Sequence, residues 1–270
     1  MKLIVNGKQY QTKADTLWEL KKEISRKTNS VDVVILNGFQ TSDNLPLQEG
    51  DLVALIQKGV MPSKEELESM MCARHTPKVH EKVKDAKVAI AGLGGLGSNI
   101  AVLLARTGVG KLLLIDFDTV EPSNLNRQSY YISHLGLPKT EALKQQIEQI
   151  NPFIQVETKQ VRVTEENALS LFNGYPIVCE AFDNPQSKAI LVNTLLEQSP
   201  QTKLVCGSGM AGYGSSNTIQ TKQKFKNLYL CGDGETAAEV GNGLMAPRVT
   251  ICAAHQANMI LRLILGIEEV

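Results

Sequence analysis

Val88-Ala89-Ile90-Ala91-Gly92-Leu93-Gly94-Gly95-Leu96-Gly97 carries the reading of the larger part of this chain. A short apolar run enters a cluster of glycines, and the cluster opens a helix predicted over 97–107. Glycine allows a tight turn, lets backbone approach a phosphate, and packs helix closely on strand. The helix N-terminus then offers unpaired N–H groups and a positive partial charge to an anion. The next apolar run, 112–115, ends at Asp116, at the spacing where a carboxylate accepts hydrogen bonds from ribose hydroxyls. Strand, glycine turn, helix and acid predict a nucleotide site at Gly92, Gly94, Gly95, Gly97 and Asp116. A turn that merely packs a helix is the plainer alternative.

As far as Asp116, a nicotinamide cofactor and ATP fit equally well. The string that follows, Asp116-Phe117-Asp118-Thr119-Val120-Glu121-Pro122-Ser123-Asn124-Leu125-Asn126-Arg127-Gln128, separates them. A dehydrogenase has no need of a polar, arginine-bearing loop here, whereas a triphosphate does, because Arg grips phosphate oxygens with a planar fork. Lys139 follows in Gly136-Leu137-Pro138-Lys139, at a helix start that can return to the same place. Two fixed cations beside an α-phosphate suit displacement of pyrophosphate, since negative charge grows on the phosphoryl oxygens.

Working outward, strand candidates at 88–91, 112–115, 155–163, 177–180 and 204–206 alternate with helical patterns at 97–107, 140–150, 165–172 and 187–198. That alternation predicts an α/β, Rossmann-like, doubly wound and mostly parallel sheet over 87–270. A last helix at 247–265 is apolar on most of its circumference, and so is either buried or packed against a second subunit. The stretch 207–243 reads as loop.

Residues 1–60 read differently. Asn6-Gly7 is a hairpin turn between short strands, Thr16-x-x-Glu19 opens a helix with Leu17, Leu20 and Ile24 on one face, and strands follow at 33–36 and 52–56, separated by a turn-rich segment at 37–50. Hairpin, helix, strand, strand is the order of a ubiquitin-like β-grasp. A linker over 61–86 holds one short helix, 64–71, announced by Ser63-x-x-Glu66, and is basic and histidine-rich from 73 onward.

Composition excludes several classes. With 43% hydrophobic and 21% charged residues, and Lys+Arg and Asp+Glu both at 28, no global charge favours nucleic acid or a membrane surface. The N-terminus turns polar too early for a signal peptide, and the last apolar helix carries His255, Gln256, Asn258 and Arg262, so a cytoplasmic protein is expected. The five scattered cysteines include no Cys-x-x-Cys, so neither a disulfide framework nor a structural zinc site is expected.

The motif Gly-x-Gly-Gly-x-Gly, then Asp-Phe-Asp-x-Val-x-x-Ser-Asn-Leu-x-Arg-Gln, Gly-x-Pro-Lys and Asp183-Asn184, resembles the ubiquitin-activating-type adenylyltransferase family, in its ThiF/MoeB (HesA) branch. The resemblance spans Arg74 to Gly266. It implies an enzyme that binds ATP and Mg²⁺ and adenylates the C-terminal glycine carboxylate of a sulfur-carrier protein. It also implies roles: Asp116 holds ribose, Asn124, Arg127 and Lys139 hold phosphates, and Asp183 stands at the magnesium. Asp118 is either part of the site or structural, and the plainer readings make Asn124 a turn residue, Lys139 a solvated helix start and Asp183-Asn184-Pro185 a helix entry. Arg74 matches an arginine that reaches a neighbouring subunit's ATP site, which requires at least a dimer; an arginine solvated in a basic linker is the alternative.

Two departures bear on function. Many relatives carry two Cys-x-x-Cys pairs for zinc, absent here. Some use a cysteine before the last helix to take the activated carrier, and Cys231 is the candidate by position, against the usual case of a buried, inert thiol. The N-terminal unit is similar to the ThiS-like carrier itself, yet Lys58-Gly59-Val60-Met61-Pro62 continues where a working carrier ends in Gly-Gly. It therefore reads as a fused relic for docking, dimerisation or self-regulation, and tilts the pathway toward thiamine over molybdopterin. Competing readings are a non-catalytic carrier-binding protein and a nicotinamide dehydrogenase.

Overall fold

In the computed structural model, which describes residues 1–25 and 31–270, Asn6 and Gly7 both take positive φ, at 48° and 76°. That twist joins β1 (Lys2–Val5) to β2 (Lys8–Gln11) as a two-residue hairpin. Helix α1 (Leu17–Ser25) follows. Then come β3 (Val33–Leu36), β4 (Phe39–Thr41) and β5 (Leu52–Ile56), giving a five-stranded sheet in the order β2-β1-β5-β3-β4 with β1 and β5 parallel. Strand β4 lies inside the segment read as turns: Asn37 and Gly38, at φ 51° and 84°, repeat the Asn-Gly hairpin chemistry of the first turn.

One sheet face buries Leu3, Val5, Val53 and Leu55 against Leu17 and Leu20 of α1. The opposite face carries Ile35, Ala54 and Ile56, packed by Met70 and Ala73 of α2 (Lys64–His75). That helix opens on a reciprocal cap between Ser63 and Glu66. Asn6 Nδ2 also donates to Glu66 Oε1 at 2.7 Å. The span 61–86 is thus largely helical, through α2 and α3 (Pro77–Lys84), and α2 runs one turn beyond the predicted 64–71. The chain divides into two units, Met1–Lys82 and Val83–Val270.

In the second unit the strands and helices alternate as β6 (Lys87–Ala91), α4 (Gly95–Thr107), β7 (Lys111–Ile115), α5 (Lys139–Ile150), β8 (Gln155–Lys159), α6 (Glu165–Phe172), β9 (Ile177–Glu180), α7 (Pro185–Gln198) and β10 (Lys203–Gly207). They are followed by β11 (Gln220–Phe225), β12 (Leu228–Gly232) and α8 (Ala246–Leu265). The sheet order is β11-β12-β10-β9-β6-β7-β8, parallel except for the antiparallel edge strand β11. The connections run outward in both directions from β6, so a crevice opens beyond the carboxyl ends of β6 and its neighbours. The reading of 207–243 as loop is corrected by β11 and β12. Leu228 to Gly232 is buried apart from partly covered Leu230, and pairs in register with β10. Helix α8 buries one face, through Val249, Cys252, Ala253, Gln256 and Ile260, against α4, β10 and β12, and leaves Thr250, Ala254 and Asn258 exposed on the other.

Candidate active site

The carboxyl ends of β9, β6 and β7 stand side by side, and the segments leaving them build a cleft of about 400 Å³. Gly92, at φ 89°, turns the chain out of β6; a Cβ there would meet the Ala181 carbonyl oxygen at 2.9 Å. A Cβ on Gly97 would lie 1.8 Å from the Gly92 carbonyl oxygen, so α4 reaches its position only because residue 97 has no side chain. The peptide of Leu93 is pinned on both sides. Its N–H donates to Asp116 Oδ2 at 2.6 Å, and its carbonyl accepts from the buried Tyr130 hydroxyl at 2.8 Å.

Asp116 is itself buried, and its Oδ1 accepts from the Asp118 N–H at 2.8 Å. Burial raises its pKa above the ordinary Asp value, against the pull of those two N–H groups and Lys139. Each carboxylate oxygen keeps a further lone pair for a ligand hydroxyl. Lys139 is nearly buried, and its ammonium lies 3.0 Å from Asp118 Oδ2. Its N–H donates to the Asp118 carbonyl, which ties the start of α5 to the loop after β7.

The polar loop is fastened to the first turn of α4. Ser98 Oγ accepts from the Ser129 N–H, and Asn99 Nδ2 donates to the carbonyls of Gly95 and Arg127. Arg127 is thereby held beside Gly95 at the helix N-terminus, with one guanidinium nitrogen on Asn126 Oδ1 at 2.8 Å and the Ser123 carbonyl at 3.2 Å. Gln128, buried beside it, leaves Oε1 without a hydrogen-bond partner among the described residues.

Asp183 follows β9, exposed, on a segment braced from below. Buried Glu180 accepts from the Phe182 N–H at 2.7 Å and pairs with Lys188 at 2.5 Å, while Lys188 also donates to the Gly207 carbonyl. Asn184 caps α7 through its side chain, accepting from the N–H groups of Gln186 and Ser187.

Gly92, Gly94, Gly95, Asp116, Asp118, Arg127, Lys139 and Asp183 therefore line one cleft. Four expected residues lie elsewhere. Gly97 sits behind the turn as packing. Asn124 is buried and caps its own turn, its Oδ1 accepting from the Glu121 N–H at 3.0 Å. Arg74 belongs to the first unit, where it donates to Gln40 at 3.0 Å. Cys231 is in strand β12 rather than in a loop; it is fully buried, and burial pushes its thiol up to about 11 against the contact with Thr221. Residues not singled out from sequence complete the walls: Phe117, Gln128, Arg162, Phe182 and Met210. Gln128 stood within reach, since it ends the decisive string. Arg162 did not, because the apolar pattern puts it inside a strand at 155–163, whereas β8 ends at Lys159 and residues 161–163 leave the sheet to line the cleft.

The fold and the cleft define a doubly wound α/β protein with an anion-accepting crevice at the reversal of strand order. Residues 68–270 match the ThiF family and residues 1–59 the ThiS-like ubiquitin family. The chain belongs to the ThiF family, with a ThiS-like ubiquitin unit at its N-terminus. It is 36% identical to the molybdopterin-synthase adenylyltransferase of Haemophilus influenzae over 183 residues, covering 66% of this chain and 74% of that protein. It is 32% identical to the adenylyltransferase and sulfurtransferase UBA4 of Saccharomyces cerevisiae over 194 residues, 69% of this chain but only 43% of that longer protein. Among solved structures, the E. coli tRNA N6-threonylcarbamoyladenosine dehydratase TcdA in complex with ATP superposes with a TM-score of 0.67 at 25% identity. That match covers 77% of this chain and 98% of the other.

Proposed function

We propose that this protein adenylates the C-terminal glycine carboxylate of a ubiquitin-like sulfur-carrier protein. The observation that carries the reading is the convergence of a helix N-terminus, Asp116, Arg127, Lys139 and Asp183 on one cleft. Phosphates bind at the N–H groups of Gly94 and Gly95, with ribose on Asp116. The carrier carboxylate attacks the α-phosphorus, a new P–O bond forms, and the bond to the β-phosphate oxygen breaks as pyrophosphate leaves. Arg127 and Lys139 neutralise the charge that grows on the phosphoryl oxygens. Lys139 has to give up Asp118 to do so, which makes Asp118 its resting counter-ion.

Among the described residues, no group of three or more metal-ligating side chains stands together. Magnesium takes one or two carboxylates plus phosphate oxygens, and Asp183, solvent-facing in the cleft, fits that sparse donor set. The ion would supply charge neutralisation on the triphosphate. The buried, high-pKa thiol of Cys231 supports a reaction that ends at the acyl-adenylate, with Cys231 a core residue. The carrier is of the thiamine-thiazole type if the fused ThiS-like unit marks the pathway, whereas the relatives' names favour a molybdopterin-type carrier equally. We place the enzyme in the cytoplasm as a homodimer, with Arg74 serving the partner's site; among the described residues no helix is long and apolar enough to cross a membrane.

ATP–pyrophosphate exchange with a panel of Gly-Gly-ended carriers tests this. Exchange is expected with one class of carrier, to vanish in Asp183→Ala and to persist in Cys231→Ser. Exchange that survives Asp183→Ala overturns the metal assignment, and none with any carrier overturns the function.

A further inference from the structure

The strand order dictates how a nucleotide is laid along the cleft. Asp183 leaves β9, the glycine turn leaves β6, Asp116 ends β7, and residues 161–163 follow β8, in that spatial sequence. If phosphates sit on the glycine turn and ribose on Asp116, the base must lie one strand further out, over the β8 end. Two strand spacings, roughly 10 Å, separate that end from the glycine turn, which leaves room for a ribose between them. Phe117, Val161, Arg162 and Val163 form the cleft there.

Arg162 is unlike the other cations of the cleft. Lys139 has Asp118 and Arg127 has Asn126, but the Arg162 guanidinium has no hydrogen-bonding or ionic partner among the described residues. It is instead held 3.9 Å over the ring of Phe117, which is itself 44% exposed. A guanidinium is flat and weakly hydrated, so it accepts an aromatic on each face while its N–H edge stays free for ring nitrogens.

We propose that Arg162, backed by Phe117, is the base-binding residue of this enzyme, stacking on the adenine of ATP. The proposal rests on the reading of the cleft as an ATP site and adds the residue that recognises the base. Arg162 touches the part of the substrate that does not react, so its contact is the same in ground and transition states. Such uniform binding lowers KM without raising kcat.

The test is pyrophosphate exchange at varied ATP for wild type, Arg162→Ala, Arg162→Lys and Phe117→Leu, with inorganic tripolyphosphate as competitor and thermal unfolding as a folding control. KM for ATP is expected to rise about fivefold to thirtyfold in both arginine variants, the range from a partly exposed to a desolvated cation–π contact. It should rise less in Phe117→Leu, with kcat and the inhibition constant of tripolyphosphate unchanged throughout. Lysine keeps the charge and loses the flat face, so wild-type KM in Arg162→Lys would overturn the stack in favour of a plain phosphate-attracting charge. A tripolyphosphate constant that weakens in parallel, or an unchanged KM in Arg162→Ala, would overturn it too. Failure of the wild type itself to exchange or bind ATP strikes the nucleotide reading instead, a result the variants cannot imitate.

Discussion

Gly97 and Lys188 show how single positions hold the cleft without touching a ligand. A methyl group at residue 97 collides with the Gly92 carbonyl, and both partners are backbone, so nothing flexible can yield. Gly97→Ala is expected to displace α4 from the glycine turn, lower the melting temperature and abolish ATP binding, as calorimetry would report. Lys188 acts through charge. Burial holds the Glu180 carboxyl above its ordinary pKa despite the ammonium beside it. A carboxyl raised in the folded state contributes stability at low pH and loses it as pH climbs through the folded value. Removing the cation in Lys188→Met raises Glu180 further, so the variant's deficit grows with pH. We expect a loss of about 3 kcal/mol at pH 8 and a distinctly smaller one at pH 5, measured by denaturant unfolding at both. An equal loss at the two values would mean that Lys188 contributes packing rather than charge.

Among the elements, α2 has the most to explain. A β-grasp sheet with one face on its helix leaves the other face to solvent or to a partner, and here Met70 and Ala73 cover Ile35, Ala54 and Ile56. Cap, hairpin and helix are interlocked: Glu66 completes the Ser63 cap and also accepts from Asn6 in the first turn. Met70→Asp places a charge against that apolar face, and is expected to cost the first unit about 2 kcal/mol. Trp18 is the chain's one tryptophan and belongs to this unit, so its fluorescence follows the unit's unfolding selectively. A fluorescence midpoint unmoved by Met70→Asp would show that α2 is dispensable to the sheet.

For the molecule as a whole, the question is why a ThiS-like unit without a carrier's Gly-Gly tail is joined to a ThiF-family unit. The chain runs from β5 into α2, so no free carboxylate exists at that end of the unit. We expect it to serve docking, dimerisation or self-regulation. The natural cut follows Lys82, since a cut at 60 strips α2 of the sheet that covers Met70 and Ala73. Deletion of residues 1–82 is expected to change the sedimentation coefficient beyond the loss of mass, or the exchange rate beyond the change that Arg74→Ala makes in the full chain. If neither changes, the unit has no part in the enzyme's assembly or turnover.

Much of this was legible in the chain because it rests on local physics. Glycines that admit positive φ, Asn-Gly turns, the Ser63 cap before α2 and apolar runs of strand length declare themselves within a few residues. The glycine turn, Asp116, Arg127, Lys139 and Asp183 could therefore be named, and they share one cleft. What stayed hidden depends on partners distant in sequence. Strand β12 follows from pairing with β10, and the coverage of α2 from a sheet many residues earlier. Arg162 reaches the cleft only because β8 pairs beside β7. Spacing along a chain records which groups are neighbours in one element, whereas burial, pKa and convergence arise from surfaces brought together across the fold.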